Sequence, residues 1–460
     1  MNDMATVPRD GSLDTGSAVL ATAGRSARIV LVNRYFHPDL SATSQMVSSL
    51  AFALAAQGYA VHVITSRQRH DDPSALLPRH EIIRGVTVHR VGTSRFGRGN
   101  LLGRAVDYAT FHVAAAAAAT RTAGPGDCVV ACTDPPMLSV TMQPVLRPGT
   151  KLVNWLQDVF PEVASSLGVR GLDGGVGTVL RRLRNRSLAK ASMNVVLGAR
   201  MGAHLTDEGI DPDAITIIPN CSDGKAIRPL PGGAVALRRE WDLGDRFVVG
   251  YSGNMGRAHE FETIIAAAET LKDAPDILFL FVGDGHRLKS IRQEVQSRGL
   301  GNVAFRPLQS EDRLCETLCA MDVHLVSLRP ELEGLIVPSK IYGIAAAGRP
   351  ALFVGDPRGE VGTLLKQHDF GTAIASGDVN GLVQAIRSLN ASPALCRRLG
   401  ENARNAFDRH FDRSRVVDLW RSMLDELYAG EATDTFMEKE DIAISGERVT
   451  SLNRIAIKNK

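Results

Sequence analysis

Apolar and polar positions alternate regularly along this chain, with short apolar runs followed by longer segments of helical spacing. Short, nearly continuous apolar runs are typical of strands buried on both faces of a parallel sheet. The longer segments, for example Ser44–Gln57, have the periodicity of amphipathic helices. The predicted strands are Ile29–Asn33, Ala60–Thr65, Cys128–Cys132, Lys151–Trp155, Met193–Leu197, Val248–Tyr251, Ile277–Val282, Val303–Arg306, Val323–Ser327 and Ala351–Val354.

The alternation of strands and helices occurs twice and is interrupted by the turn-rich stretch Arg228–Gly233. A chain of 460 residues is too long for a single core, so the pattern predicts an α/β protein of two doubly wound domains that face a central cleft. In such sheets ligands bind beyond the carboxyl ends of the strands. The predicted divisions are a disordered leader over 1–26, an N-terminal domain over 27–215, a C-terminal domain over 216–412, a helix over 413–430 and a disordered tail over 431–460.

Composition narrows the classes of partner and compartment. A net charge of +3 is too small to indicate a nucleic-acid partner. The six cysteines form no C-x-x-C pair, which favours reduced thiols over disulfides or zinc. No apolar segment reaches the ~20 residues that span a bilayer, and the leader lacks the apolar core of a signal peptide. We therefore expect a cytoplasmic protein.

The stretch Tyr251–His259 is the strongest candidate for chemistry, because it joins a predicted strand to a helix through glycines. That arrangement brings free backbone N–H groups and a positive helix end to one point. Arg257 adds a guanidinium fork that matches phosphate oxygens. The stretch predicts a diphosphate site. The alternative is a turn whose glycines only permit tight packing and whose Arg257 is solvated.

Two further stretches follow predicted strands of the same domain. Asp284 lies in a glycine turn, where it either binds a ligand hydroxyl or caps the next helix. Pro338 and Ser339 are good first residues for a helix. Lys340 in the first helical turn opposes the helix dipole, which indicates a nearby anion. The alternative is an exposed lysine whose stem covers apolar surface.

One predicted helix is strongly basic, and three of its basic residues recur at i, i+4 and i+8. Such a stripe either binds anionic lipid headgroups or is a solvated helix face. The segment Arg95–Arg104 also mixes basic and apolar residues, in a predicted loop. The stripe is Arg182, Arg186 and Lys190, and the same helix carries Arg181 and Arg184.

Taken together, these stretches resemble the GT-B glycosyltransferases of family 4, and within it the bacterial exopolysaccharide, O-antigen and colanic-acid transferases. The resemblance runs from about Ile29 to Leu427. The order and spacing of the motifs are specific for the family and not for a particular sugar. The motifs are Tyr35–Thr43, Thr133–Pro136, Trp155–Glu162, Ile218–Asn220, Gly253–Arg257, Phe281–Gly285, Pro338–Gly343 and Ala347–Pro350.

The resemblance implies a retaining transfer of a sugar from a nucleotide-sugar donor in the C-terminal domain. The acceptor, a polyprenyl-linked or other saccharide, is implied in the N-terminal domain. The donor is a substrate, and neither a cofactor nor a metal is implied. The implied location is the inner face of the plasma membrane, with peripheral attachment to its anionic surface and no nucleic-acid partner.

The resemblance also implies roles for individual residues. Arg257 falls on the family's diphosphate-binding arginine, but the companion lysine is replaced by His259, Glu260 and Phe261, and Lys340 is the candidate for the missing charge. Arg257 and Lys340 are therefore the predicted catalytic residues. The predicted donor-binding residues are Gly253, Asn254, Gly256, Asp284, Leu308, Glu333, Gly334, Pro338, Ser339 and Tyr342.

The paired-glutamate motif of the family is broken here. Counted back from Gly348, the second glutamate falls on Gly343 and the first on Leu335. Glu333 is close enough to Leu335 in the chain that a small shift of the loop would let it replace the first glutamate. Nothing in the sequence replaces the second, which would hold the ribose.

On the acceptor side, Thr43 follows an alanine where two glycines often occur in the family. His37, Ser41 and Thr43 are acceptor-side candidates, and helix capping is the alternative for Ser41 and Thr43. Gln157 occupies a position that is often histidine in other members of the family. Asp158 beside it either orients an acceptor hydroxyl or caps the following helix, and capping is slightly favoured.

Two other classes of protein share the implied nucleotide site. A sugar-nucleotide epimerase of the same fold would consume the nucleotide-sugar without an acceptor. A non-catalytic partner subunit would bind nucleotide without turnover, and the broken glutamate pair is compatible with that class.

Overall fold

The computed structural model describes residues 27–437, apart from 71, 73, 98–100, 170 and 231–233. Its N-terminal sheet has eight strands in the order β3-β4-β2-β1-β5-β6-β7-β8, and β3 alone is antiparallel to its neighbour. These strands are β1 (Arg28–Val32), β2 (Ala60–Ser66), β3 (His80–Ile83), β4 (Val86–Val91), β5 (Cys128–Ala131), β6 (Lys151–Trp155), β7 (Met193–Val196) and β8 (Ile215–Ile217).

The C-terminal sheet has six parallel strands in the order β11-β10-β9-β12-β13-β14. Both sheets are covered by helices, so the predicted fold class is confirmed. These strands are β9 (Phe247–Ser252), β10 (Ile277–Val282), β11 (Val303–Arg306), β12 (Val323–Ser327), β13 (Ala351–Gly355) and β14 (Gly371–Ala375).

The helices of the described residues follow the strands in chain order, and short 3₁₀ turns and one π-helical turn join some of them. They are α1 (Ala42–Ala56), α2 (Leu101–Thr122), α3 (Leu138–Met142), α4 (Glu162–Ser166), α5 (Gly175–Ala189), α6 (Ala199–Asp207), α7 (Val235–Glu240), α8 (Glu262–Thr270), α9 (Leu288–Ser297), α10 (Leu314–Cys319), α11 (Lys340–Ala346), α12 (Glu360–His368), α13 (Val379–Ala391), α14 (Pro393–Ala406) and α15 (Arg413–Met437).

Every strand predicted from an apolar run is present, and the strands that the pattern missed lie at or next to the sheet edges. β3, β4 and β8 form the two ends of the first sheet, and β14 is the last strand of the second. Their residues alternate between buried and partly exposed positions, or are only partly buried. They therefore lack the continuous apolar run by which central parallel strands are recognised.

The last helix, α15, crosses back from the C-terminal domain to complete the core of the N-terminal one. Trp420 of this helix is buried, and its ring centroid lies 5.0 Å from that of Trp155 in β6. Val416 and Val417 pack in the same cluster as strands β1, β2 and β5. The sequence predicted a helix over 413–430, but α15 extends to Met437. Residues 438–460 lie outside the described part of the chain, as does the predicted leader 1–26.

A second connection joins the domains through backbone hydrogen bonds. Asp158 and Ile336 form an antiparallel bridge, and the N–H of Val159 donates to the carbonyl of Leu335 over 2.9 Å. These bonds fix the segment after β6 against the loop that leads into α11. Among the described residues, no helix combines the length and the apolar character needed to cross a bilayer.

Candidate active site

Two glycine turns interlock at the carboxyl ends of β9 and β10. Gly253 has φ +117° and Gly283 has φ +140°, backbone conformations that side-chain-bearing residues rarely adopt. A Cβ at Gly283 would lie 2.2 Å from the carbonyl oxygen of Gly253. The Gly253 N–H donates to Val282 over 2.9 Å, and the Met255 N–H donates to the Asp284 carbonyl over 2.7 Å. Glycine is thus required for the two turns to pack against each other.

Lys340 extends from the start of α11 to the underside of the Gly253 turn. Its Nζ lies 3.5 Å from the ring centroid of Tyr251, and a Cβ on Gly253 would lie 3.9 Å from it. Although the residue is half-buried overall, Nζ itself is shielded from solvent and has no hydrogen-bond partner among the described residues. Burial therefore holds the pKa of Lys340 well below its usual range. The alternative of a solvated surface lysine is wrong.

His259 occupies space beside Lys340 without adding charge. Its Nδ1–H donates to the Ser327 carbonyl over 2.6 Å, and its ring lies 5.9 Å from that of Tyr251. Burial, assisted by the charge of Lys340 and opposed by the Ser327 hydrogen bond, lowers the pKa of His259 to about 3. His259 is therefore neutral near pH 7 and does not replace the family's companion lysine. The next residue, Glu260, accepts the Thr263 N–H over 2.7 Å at the start of α8.

Arg257 lies at the surface, in the segment that follows the Gly253 turn. It is exposed, and its Nη2 donates to Nε2 of His286 over 2.9 Å. Its guanidinium has no carboxylate partner in the described part of the chain. Asn254 in the same turn is also exposed, and its carbonyl accepts the Tyr251 hydroxyl over 3.0 Å. An arginine fork paired only with an imidazole is available to an anion.

The other predicted donor residues have more varied environments. The Asp284 carboxylate accepts the N–H of the adjacent Gly285 over 2.7 Å and does not cap α9. Leu308 is 67% exposed, beyond the end of β11. Gly256 packs against the Asn254 side chain, because a Cβ at Gly256 would lie 3.1 Å from Nδ2 of Asn254.

The residues that lead into α11 are mostly structural in this arrangement. Pro338 and Ser339 precede the helix, as expected, but the Ser339 side chain makes no capping hydrogen bond. Tyr342 is buried, and its hydroxyl is hydrogen-bonded to the backbone of Asn220 in the connection between domains. Tyr342 therefore reaches the domain connection rather than the glycine turns.

Glu333 contacts a helix terminus instead of the glycine turns. Its Oε1 accepts the N–H of Glu360, the first residue of α12, over 2.7 Å. Its Oε2 is buried and has no partner among the described residues. Burial, with the nearby Glu360 and Asp356 carboxylates, raises the pKa of Glu333. Gly334, which follows with φ +76°, packs against the backbone of Arg200.

The two positions of the broken glutamate pair are both packed. A Cβ at Gly343 would lie 3.6 Å from Leu318 and 3.9 Å from the hydroxyl of Ser222. Leu335 is buried, and its carbonyl accepts the interdomain hydrogen bond from Val159. The first position thus contributes to domain contact.

The loop before α1 is organised by a residue that the sequence did not single out. Asp39 is buried and accepts both the N–H of Ser41 over 2.8 Å and its hydroxyl over 2.5 Å. Asp39 also accepts the N–H of His70. Because the Ser41 hydroxyl is used here, Ser41 makes no side-chain cap on α1, and that alternative is wrong.

His37 and Thr43 lie on either side of this aspartate. The His37 ring packs edge-on against Phe52, 5.6 Å between centroids. Burial, reinforced by the charges of Arg84 and Arg90, lowers the pKa of His37. Thr43 is half-buried in the first turn of α1.

Gln157 and Asp158 lie where the N-terminal domain meets the other domain. Gln157 exchanges two amide hydrogen bonds with Asn220, of 3.1 and 2.9 Å. Burial, together with the Asp134 carboxylate, raises the pKa of Asp158 to about 6 despite a hydrogen bond from Thr133. The next helix, α4, begins at Glu162 and receives no cap from Asp158. The preference for capping was therefore wrong.

One cluster of the described residues has the composition of a metal site, but its charges are already compensated. Ligand atoms of Glu162, His204 and Glu208 lie within 4.8 Å of one another. Arg184 approaches both carboxylates, at 2.7 and 3.6 Å, and Arg181 lies 3.5 Å from Glu162. Burial would raise the pKa of Glu162, but the neighbouring His204 and the Arg184 guanidinium lower it to about 2. Two guanidinium groups therefore already neutralise the carboxylates that would bind a metal cation.

Several residues of this region were not identified from sequence. Asp39, Asp134 and Asn220 act through partners distant in the chain, and Glu360 caps a helix of the other domain. Asp39 and Asp134 do follow predicted strands, and each lies next to a proline. Their place next to a proline after a predicted strand is the sequence feature from which these two aspartates could have been identified.

Comparison with known proteins supports the class that the fold indicates. Residues 41–221 match the family model Glycosyl transferase 4-like domain, and residues 236–406 match Glycosyl transferases group 1. The chain is 31% identical over 272 residues to "Probable glycosyltransferase WbjE" of Pseudomonas aeruginosa, covering 58% of this chain and 67% of that protein. It is 28% identical over 274 residues to "Putative colanic acid biosynthesis glycosyl transferase WcaI" of Escherichia coli K12, covering 58% and 66%. The matched region thus spans about two thirds of each relative's length.

Solved structures share the architecture over most of the chain. Sucrose-phosphate synthase of Thermosynechococcus elongatus superposes with a TM-score of 0.68 at 19% identity, covering 88% of this chain and 100% of that one. WaaG, a glycosyltransferase involved in lipopolysaccharide biosynthesis, superposes at 0.62 with 16% identity, covering 85% and 99%. Two parallel-sheet domains of this kind define the GT-B class. The chain belongs to the family-4 GT-B glycosyltransferases, as its motifs indicated.

Proposed function

We propose that this glycosyltransferase transfers a sugar, with retention of anomeric configuration, from a nucleoside-diphosphate sugar to a polyprenyl-linked or other saccharide acceptor. The observation that carries the proposal is the Lys340 ammonium, which is shielded from solvent and unpaired beneath the interlocked glycine turns. A buried cation without a partner is costly unless an anion completes its environment. A diphosphate above the Gly253 turn would complete it.

The two cations have complementary positions for this role. Arg257 at the rim can grip terminal phosphate oxygens through its planar fork, while Lys340 acts from below through the turn. As the glycosyl–phosphate bond breaks, negative charge grows on the diphosphate and the sugar becomes oxocarbenium-like. Fixed cations aimed at that charge stabilise the transition state without reorganisation, an effect worth ~10²–10³ in rate per group.

The acceptor side supplies positioning groups. In a front-face reaction the departing phosphate oxygen accepts the proton of the acceptor hydroxyl, so no dedicated carboxylate base is required. Asp158 is held near the domain junction by its antiparallel bridge with Ile336, which is closed by the hydrogen bond from the Val159 N–H to the Leu335 carbonyl, and it is the group we propose to orient the acceptor hydroxyl. Gln157 is fixed beside it by Asn220. We propose that the reaction is independent of metal, because cations of the chain supply the leaving-group charge.

Two kinds of relative support a cell-surface saccharide as the acceptor. WcaI is named for colanic acid biosynthesis, and WaaG for lipopolysaccharide biosynthesis. HepE of Anabaena, solved in complex with UDP, has the same fold at a TM-score of 0.65. We propose peripheral attachment to the inner face of the plasma membrane, where a polyprenyl-linked acceptor would present its sugar.

A transfer assay tests the proposal. The protein would be incubated with radiolabelled UDP-, GDP-, ADP- or dTDP-sugars and a membrane extract, followed by recovery of label in the lipid fraction and determination of the new linkage by NMR. Label with retained configuration supports the proposal, and an inverted linkage contradicts it. Nucleotide-sugar consumption without an acceptor indicates an epimerase.

A non-catalytic partner subunit is a second candidate, and one observation favours it. The position of the ribose-binding glutamate is Gly343, packed against Ser222 and Leu318, and Glu333 is engaged by α12. Nucleotide binding with no turnover in any extract would indicate this class.

A further inference from the structure

Three histidines lie on one face of the N-terminal sheet, each on a different strand. His62 belongs to β2, His80 to β3 and His89 to β4, and these strands are neighbours at one edge of the sheet. His80 and His89 are paired in the antiparallel ladder, and His89 pairs with Ile64, two residues after His62 in β2. Because residues two apart on a strand point to the same face, the three imidazoles lie together.

The rings are close enough to share a ligand. Nδ1 of His62 lies 3.0 Å from Nε2 of His89, so these two nitrogens face each other. The ring centroids of His62 and of His80 each lie 5.3 Å from that of His89. Two imidazoles on a tetrahedral zinc, with Zn–N of ~2.0–2.1 Å, have nitrogens about 3.4 Å apart and ring centroids about 5 Å apart. A separation of the first two nitrogens by about 0.4 Å more would therefore admit a zinc ion.

His80 supplies the third ring and the route of entry. It is exposed at the first residue of β3, and its ring stands at 83° to that of His89. Among the described residues, its ring nitrogens make no hydrogen bond. The nitrogens of the three rings do not converge on one point, and a rotation of the His80 ring toward the half-buried pair would bring them together. An ion could thus enter from solvent at His80 and be held by the other two rings.

The charges around the rings do not oppose a cation. The Arg28 guanidinium acts on His89, but the carboxylate of Asp127 lies 2.7 Å from Nη2 of Arg28 and neutralises it. Burial, with the charges of His80 and Arg28, lowers the pKa of His89, so this ring is neutral near pH 7. Neutral imidazole is the form that binds a metal ion.

We propose that His62, His80 and His89 form a binding site for a divalent d-block cation, with zinc as the best match and water as the fourth ligand. Imidazole nitrogen suits zinc, copper, iron and nickel, whereas magnesium and calcium prefer oxygen. The ion would join three strands at the edge of the sheet. The proposal does not rest on the proposed function, and the glycine turns belong to the other domain, so the transfer chemistry remains without metal.

The site is one residue away from contacts that hold the acceptor-side loop. Arg90, which follows His89, is ion-paired with Glu81, which follows His80. Nη2 of Arg90 also donates to the carbonyl of His37 over 2.9 Å. Successive strand residues point to opposite faces, so an ion on one face fixes the pair of strands whose other face carries Glu81 and Arg90. We expect the ion to stiffen the loop at His37 through this strand pair.

Zinc binding to the full chain, after a chelator has removed bound metal, tests the proposal. Isothermal titration with Zn²⁺ should show one ion per chain, and Co²⁺ should give the visible absorption of a site of low coordination number. His80→Gln, at an exposed position, should weaken affinity by at least ~10–100-fold, the loss found even when an outer partner of a metal ligand is removed. His62→Gln and His89→Gln should weaken it likewise, and thermal unfolding without metal reports whether these half-buried variants fold.

The matched control removes a different pair of imidazoles. His368 and His410 of the C-terminal domain have ring centroids 5.0 Å apart, and His368→Gln/His410→Gln should bind zinc like the parent. His204→Gln removes the histidine of the cluster with Glu162 and should also bind zinc like the parent. Absence of zinc binding by the parent, unchanged affinity in His80→Gln, or loss of binding in either control overturns the proposal.

Two further measurements separate the outcomes. Zinc should slow amide hydrogen exchange in β3 and β4 of the parent and not of His80→Gln, and equal exchange with and without zinc contradicts an ion that joins these strands. The metal-free protein should keep its thermal shift with nucleotide-sugars. A shift that is lost with the metal and restored by zinc places the ion at the nucleotide site and overturns the proposal. Zinc binding at the three histidines of a protein that binds no nucleotide-sugar refutes the proposed function only.

Discussion

The ammonium of Lys340 lies 3.5 Å from the ring centroid of Tyr251, against the floor of the turn at Gly253. The π-face of a tyrosine attracts a cation, but an aromatic ring does not replace the hydrogen bonds that water gives an ammonium. The contact therefore holds Lys340 in place while leaving its charge uncompensated. This is the arrangement expected of a group whose partner is a ligand.

Lys340→Met should stabilise the protein and weaken donor binding. Methionine keeps much of the apolar stem and removes a buried, unpaired charge, so we expect a gain of about 1–3 kcal/mol in the free energy of unfolding near pH 7. Because the folded pKa of Lys340 is depressed, the parent binds fewer protons when folded than when unfolded. Its stability penalty is largest at low pH and disappears as pH rises toward ~10.5, the pKa of free lysine. Urea unfolding of parent and variant from pH 7 to 10 should show a shrinking difference.

A matched substitution provides the control for this prediction. Lys289→Met changes an exposed lysine of α9 and should leave both stability and diphosphate affinity nearly unchanged. If Lys340→Met is less stable than the parent and binds nucleoside diphosphates equally well, Lys340 has a structural role only.

Asp158→Asn should stabilise the fold while lowering transfer. Burial and the Asp134 carboxylate raise the folded pKa of Asp158 to about 6, above its value in the unfolded chain. The folded state therefore binds more protons between about pH 4 and 6, and stability falls as pH rises through that window. At pH 7.5 the ionised group costs up to about 3 kcal/mol, since one pKa unit corresponds to about 1.4 kcal/mol. The variant should gain more stability at pH 7.5 than at pH 4.5, and thermal unfolding at both values measures this.

The transfer assay completes the test of Asp158. If its carboxylate orients the acceptor, Asp158→Asn should lower transfer to the acceptor while leaving nucleotide-sugar binding unchanged. Thr133→Val, which removes the hydrogen bond to this carboxylate, should raise its pKa further. Unaltered transfer by Asp158→Asn would remove Asp158 from the acceptor site.

Glu360 should couple the two domains through the N-terminus of α6. Its carboxylate accepts the N–H of Arg200 over 3.0 Å, and a Cβ at Gly198 would lie 2.2 Å from the Glu360 side chain. Losing such a cap costs about 1 kcal/mol, so Glu360→Ala should lower the free energy of unfolding by that amount. Gly198→Ala should displace the same carboxylate, so the losses in the double variant should not add. Additive losses would contradict the contact, and Glu401→Ala, at an exposed position, is the control.

The central strands and the glycine turns could be predicted from sequence because each is encoded locally. The run before Gly253 contains the buried segment Val248–Tyr251, and the glycine is followed by helical spacing. Strand β4, next to the sheet edge, was missed because its buried and partly exposed residues alternate and include His89 and Arg90. Lys340 was recognised as misplaced for a helix start, but its burial depends on Tyr251, which lies far away in the chain.

The contacts between the domains could not be predicted in the same way. Glu333 was expected near the donor because of its distance along the chain from the family motif, yet its carboxylate binds the start of α12. Asp158 was expected to cap a nearby helix, whereas the groups that affect its carboxyl, Thr133 and Asp134, follow another strand, β5. Local spacing does not encode which loops meet when two sheets face each other.

Binding of nucleotide-sugars to the parent and to Arg257→Ala tests the central claim most directly. A thermal-shift panel of UDP-, GDP-, ADP- and dTDP-sugars would be run on both proteins. The surface control is Arg298→Ala, at the residue that follows the last residue of α9. At ~100 times its dissociation constant, a ligand adds ~2.7 kcal/mol to apparent stability. We predict that one nucleotide class stabilises the parent and the control, that Arg257→Ala folds normally with a much smaller shift, and that Arg257→Lys is intermediate. An equal shift in parent and Arg257→Ala, or none with any nucleotide-sugar, would contradict a diphosphate site at the Gly253 turn.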